Sequence, residues 1–142
     1  MKKPDPEVGQ IVKFDYLWRT ERLQGRVEGV KDRPCAVVLA RRQQDDGSFI
    51  VLLAPITHSA PEASAVSIAI PSQSSKATGL DNAQSWLILS EVNLVPWSDA
   101  GIVPAHKGQW LYGYLPRKVA TRAAEEVGKM LRKSVLGIVK RG

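Results

Sequence analysis

Two unbroken apolar runs, Cys35 to Ala40 and Phe49 to Ile56, stand on either side of the polar turn Gln43 to Gly47. A continuous run of this length reads as a strand buried on both faces, and Asp46-Gly47 between them is a hairpin signal. A hairpin of two largely buried strands needs cover above and below, so the rest of the chain must supply it.

The flanking segments read as further short strands. Val8 to Phe14, opened by Gly9, puts Val12 and Phe14 on one side at period two. Tyr16 to Lys31 shows no periodicity and carries Gly25, Gly29, Arg19, Arg22 and Arg26, which predicts a long loop of the kind that serves as a lid or binding element. Beyond the hairpin, His58 to Gly79 is rich in Ser, Ala and Pro, but Val66, Ile68 and Ile70 alternate with Ser67 and Ala69 and predict a half-buried strand. Trp86 to Leu89 and Val92 to Trp97 are two more runs, joined at Ser90-Glu91 by a bulge or tight connection. Trp110, Tyr112 and Tyr114, if extended, place three aromatics on one face, suited to a core or a dimer interface. His106 falls in a turn-like setting, Pro104 to Gly108.

Pro116 is a natural first helical residue, and the clearest periodicity in the chain follows it. Val119, Ala120, Ala123, Ala124, Val127, Met130, Leu131, Val135 and Ile138 fall within an arc of about 160° at 100° per residue. The charged residues, including Lys118, Arg122, Lys129 and Arg132, take the other side, and Gly137 is a stop signal. This predicts a basic amphipathic helix over 116–137, packed on protein rather than lipid.

The chain of 142 residues is expected to form a single domain, mainly β with a C-terminal helix. Its six or seven short strands suit a small curled antiparallel sheet or barrel. There is no apolar stretch long enough to span a membrane and no apolar run behind Lys2 and Lys3 to make a secretory signal, so a cytoplasmic, soluble protein is expected. One cysteine and two histidines provide no zinc spacing, and neither metal nor other cofactor is expected. The net charge is +6, and residues 116–142 hold eight basic side chains against two acidic ones. That balance favours a polyanionic partner, nucleic acid first.

Four landmarks occur in order: Gly9-Gln10-Ile11-Val12; Lys31-Asp32-Arg33-Pro34 leading into Cys35-Ala36-Val37-Val38-Leu39; Ala54-Pro55-Ile56-Thr57; and Gly79-Leu80 before Ser85-Trp86-Leu87-Ile88-Leu89. Together they resemble the PemK/MazF family of bacterial toxins, over roughly residues 8 to 97. The resemblance implies an SH3-like barrel, usually a homodimer, acting in the cell as a metal-independent endoribonuclease on single-stranded RNA, with a cognate antitoxin protein as partner. Arg33 and Thr57 match the family's active-site arginine and threonine. A guanidinium held by Pro34 suits charge developing on a phosphate, and a threonine hydroxyl can hold a phosphate oxygen. His58, next to Thr57, has the titration range for proton transfer. Lys13, Arg19, Arg22, Arg26 and Lys31 cluster around the first strand and early loop as candidate RNA contacts.

The resemblance breaks on the strand Leu87 to Ser90. Where some members carry a second arginine and an aspartate, this chain has Ile88 and Ser90, followed by Glu91-Val92-Asn93 in place of Gln-Ile-Arg. Glu91 offers a carboxylate there. The alternative reading is therefore a non-catalytic binding protein on the same fold, either a toxin that poisons a target such as gyrase or an adaptor.

Overall fold

The computed structural model describes residues 2–15, 33–63, 65–81, 84–133 and 137–140. The hairpin predicted at the centre is its spine. Strand β1 covers Gln10–Phe14, β2 Arg33–Arg42 and β3 Phe49–Thr57. The β2–β3 turn is closed where Gln43 N–H donates to Ser48 O at 2.7 Å and Gly47 N–H to Gln43 O at 2.9 Å. Asp46 caps it by accepting from Ser48 N–H at 2.9 Å and from the Ser48 hydroxyl at 2.6 Å.

β3 carries neighbours on both edges. β2 pairs along one edge, with a bulge between Val37 and Leu39, and β1 pairs with the far side of β2. On the other edge lie β5 (Ser85–Ile88) and β6 (Glu91–Pro96), both antiparallel to β3. These two strands therefore run in the same direction, and the chain at Leu89-Ser90 steps from one to the other as a bulge, not a reversal. β4 (Ser67–Ile70) pairs outside β5. The two-residue strands β7 (Ile102–Val103) and β8 (Gly113–Tyr114) add to β1. The result is a mainly antiparallel sheet of eight strands, with a ninth, β9 (Gly137–Lys140), added in parallel to β6. Short pieces on the β1 and β6 edges bring the number above the six or seven expected. Among the described residues no ladder joins β4 to the β7 and β8 edge, so the sheet is not closed into a barrel there.

The sheet is buried on both faces, which explains the unbroken apolar runs. Alternate residues of β1, β2 and β3 divide between two clusters. Ile11, Ala36, Val38, Leu52 and Ala54 meet Val119, Ala123, Val127 and Met130 of the long helix, whereas Val12, Phe14, Cys35, Val37, Val51 and Leu53 meet Val95, Trp97 and Ile102. A one-turn helix α1 spans Ser75–Thr78, and the long helix α2 spans Arg117–Lys133, with Ala120 N–H donating to Pro116 O at 3.0 Å in its first turn. The predicted stripe is seated as expected at Val119, Ala123, Val127 and Met130. The predicted end is not. Gly137 opens β9 and Ile138 lies in that strand, opposite Val92, while Val135 is outside the described residues.

The aromatics of 110–114 do not share one extended face either. Only Gly113 and Tyr114 are strand; Tyr112 sits edge-on to His106 at 5.4 Å between ring centroids, and Tyr114 is exposed. The reason is a close approach of backbones. A Cβ on Gly79 would stand 1.8 Å from Tyr112 O and one on Gly113 2.3 Å from Ala77 O, so the end of α1 wedges against this segment and bends it. Trp97 belongs to the core. Its indole Nε1–H donates to Pro4 O at 2.8 Å, and the Lys3 ammonium lies over both the Trp97 and Trp110 rings, at 4.6 and 5.4 Å, while also donating to Trp97 O. His106 lies in a tight turn, bonded in both directions to the backbone of Gln109.

Candidate functional site

The β2–β3 register places the start of one strand beside the end of the other. Cys35 pairs with Pro55, Ala36 with Ala54 and Val37 with Leu53, so the same register carried outward sets Arg33 opposite Thr57. Both strands alternate, and Arg33 and Thr57 share the face of Cys35 and Leu53. Between them opens a cleft of about 410 Å³ lined by Arg33, Pro34, Ile56, Thr57, His58, Ser59 and Leu80. Its floor is apolar and its rim polar.

Each rim group is held by its own local bonds. Thr57 Oγ1 accepts from Ser59 N–H at 3.1 Å, an ST-turn that ends β3 and leaves the hydroxyl proton for another acceptor. His58 Nδ1 lies 3.3 Å from Gln84 O, and its Nε2 lies 3.5 Å from Asp81 Oδ2. Gln84 is itself fixed, its amide donating to Ile70 O at 3.0 Å and Ser85 O at 2.9 Å, so the carbonyl facing His58 is anchored to β4 and β5. Leu80 and Asp81 are set by Gly79, whose φ of +72° and contact with Tyr112 fix where the chain leaves α1. Leu80 N–H donates to Thr78 Oγ1 at 3.2 Å.

Of the residues predicted from sequence, Arg33, Thr57 and His58 meet in this cleft. Lys13 does not line it; it pairs with Pro34 on one side and Val103 on the other, on the opposite alternation from Arg33. Arg19, Arg22, Arg26 and Lys31 lie outside the described residues, as does all of the segment 16–31 for which a long loop was expected. Ile88 is buried, and Ile88, Ser90 and Glu91 do not line the cleft. Sequence reading missed Ser59, Leu80 and Asp81. Gly79-Leu80 was visible as a landmark, but nothing local to Asp81 shows that β5 brings it to the end of β3.

The arrangement has defined chemical capacities. A guanidinium, a hydroxyl and an imidazole converge on one opening, which suits an oxyanion such as a phosphodiester, with His58 as the group able to pass a proton. Cys35, two residues from Arg33, is fully buried; burial pushes its thiol far up, against a smaller downward pull from Arg33, so it is no nucleophile. Among the described residues no cluster of three or more His, Cys, Asp or Glu could hold a metal ion, and no helix is long and apolar enough to cross a membrane.

These features define a class: a mainly β domain with a C-terminal helix and a polar-rimmed cleft at the ends of its central hairpin. Comparison with known proteins takes it no further, since no family model, curated protein or solved structure matches the chain.

Proposed function

We propose that this protein is the toxin of a type II toxin–antitoxin pair, an SH3-like barrel of the PemK/MazF kind that cleaves single-stranded RNA, messenger RNA foremost, without a metal. The observation that carries the reading is the cleft shared by Arg33, Thr57 and His58 at the end of the β2–β3 hairpin. In the proposed reaction the RNA's own 2′-hydroxyl attacks the adjacent phosphorus and leaves a cyclic phosphate. Arg33 sets its fork of N–H donors on the phosphoryl oxygens, where charge grows, and Thr57 donates its hydroxyl proton to one of them. A homodimer and a cognate antitoxin protein are the partners this reading implies, and the cytoplasm is its place of action.

The test is incubation with single-stranded RNAs of varied sequence in a chelator, with products scored for cyclic phosphate ends. Wild type is expected to cut, and Arg33→Ala to lose about a hundredfold or more in rate, the usual cost of removing one charge-stabilising donor. Equal survival of the RNA with both proteins overturns the enzyme reading. The alternative, a binding protein on the same fold, is favoured by the cleft lining, in which, among the described residues, Arg33 is the one arginine and no aspartate takes part.

A further inference from the structure

We infer that Asp81 is a positioning residue that holds His58 as the proton donor of this cleft, an inference that rests on the RNA-cleaving reading above. His58 is flanked by acceptors on both ring nitrogens, the Gln84 carbonyl at 3.3 Å from Nδ1 and the Asp81 carboxylate at 3.5 Å from Nε2. The neutral ring can donate to only one of them, and the doubly protonated ring to both. A proton on Nδ1 donates to the anchored Gln84 carbonyl, and a proton on Nε2 faces the Asp81 carboxylate, which holds it at the cleft until a substrate oxygen takes it. Contacts on both ring nitrogens fix the ring's rotation about its Cβ–Cγ bond.

The placement is a product of the fold, not of sequence proximity. His58 follows β3, Asp81 follows Gly79, and the β3–β5 ladder, with Thr57 opposite Trp86, draws the two loops together. Gly79 fixes the second loop, since any side chain there would meet the Tyr112 carbonyl. Arg33 lines the same cleft, so a phosphodiester seated there meets both the guanidinium and the imidazole. The pair thus provides a proton-transfer group where Ile88 and Ser90 provide none.

The step balances as follows. The 2′-oxygen bonds to phosphorus as the bond from phosphorus to the 5′-oxygen breaks; the 2′-hydroxyl proton passes to water, and the Nε2 proton of His58 passes to the departing 5′-oxygen. Water then returns a proton to His58 before the next turnover.

The experiment measures kcat and KM on a fluorogenic RNA oligonucleotide in chelator, with affinity for a 2′-O-methyl analogue of the same oligonucleotide read separately. His58→Gln is expected to lower kcat about a hundredfold, within the usual worth of general acid catalysis, and Asp81→Asn about tenfold, both with KM and analogue affinity unchanged. Asp81→Glu is expected to restore part of the loss, and the double variant to be no slower than His58→Gln alone. If Asp81→Asn raises KM or weakens the analogue while sparing kcat, or if Asp81→Asn and His58→Gln match wild type while Arg33→Ala is dead, this inference fails and the RNA-cleaving reading stands. If wild type cuts no RNA, both fall.

Discussion

Arg33 and Cys35 occupy one face of β2 two residues apart, and their environments diverge sharply. Arg33 lies at the strand's open end with its side chain at the cleft, whereas Cys35 is sealed in the core beside Val12, Phe14 and Leu53. Burial raises the thiol's affinity for its proton, and the nearby guanidinium offsets only part of that. Two outcomes follow at this scale. Native protein should react with iodoacetamide at pH 8 far more slowly than protein unfolded in guanidinium chloride, as read by mass spectrometry; comparable rates would mean the thiol is reachable. The sign of the pH effect is also fixed. The folded value lies above the ordinary 9.0, so the stabilisation is fully present below that value and is lost as pH rises towards the folded one. Thermal melts from about pH 9 to 11 should therefore fall more steeply for wild type than for Cys35→Ala, which has no thiol to titrate.

Among the elements, the turn that leaves α1 at Gly79 tolerates little change. Gly79 and Gly47 have nearly the same φ, +72° and +73°, but a Cβ on Gly79 meets the Tyr112 backbone whereas one on Gly47 meets open space. Gly47→Ala is expected to cost about 1 kcal/mol, the price of the left-handed backbone alone, and Gly79→Ala at least about 3, since the Tyr112 carbonyl must also give way. Urea titrations of the two variants check the difference, and equal losses would mean that the α1 contact yields freely. The contrast also marks what the sequence could reveal. The hairpin, the strand at Ile68 and Ile70, and the helix stripe were legible because each is a local pattern of apolar residues, unbroken in the hairpin and periodic in the other two. The bend at Tyr112, the parallel β9 and the approach of Asp81 to His58 were not, because each is set by a partner more than twenty residues away. Arg33 and Thr57 were legible in kind, through their positions at strand ends, but their alignment needed the register.

For the whole molecule, the decisive feature is that β1, β2 and β3 contribute to both core clusters on alternate residues. Neither face can be dismantled while the other stays packed. Removing α2 uncovers Ile11, Ala36 and Leu52, whose strand neighbours Val12, Val37 and Leu53 form the other face. The N-terminal residues add a tie across that second face, where Lys3 sits over Trp97 and Pro4 accepts from its indole. A chain of this size built so should unfold in one cooperative step. Hydrogen exchange tests this residue by residue. The amides of Ala123 in α2 and Leu53 in β3 should report the same opening free energy. Val127→Ala, which empties space only on the helix side, should lower both by the same amount, about 2 kcal/mol for a buried side chain cut back to its Cβ. A loss confined to Ala123 would show that the helix opens alone, and that the two faces of the sheet are held by separate packing.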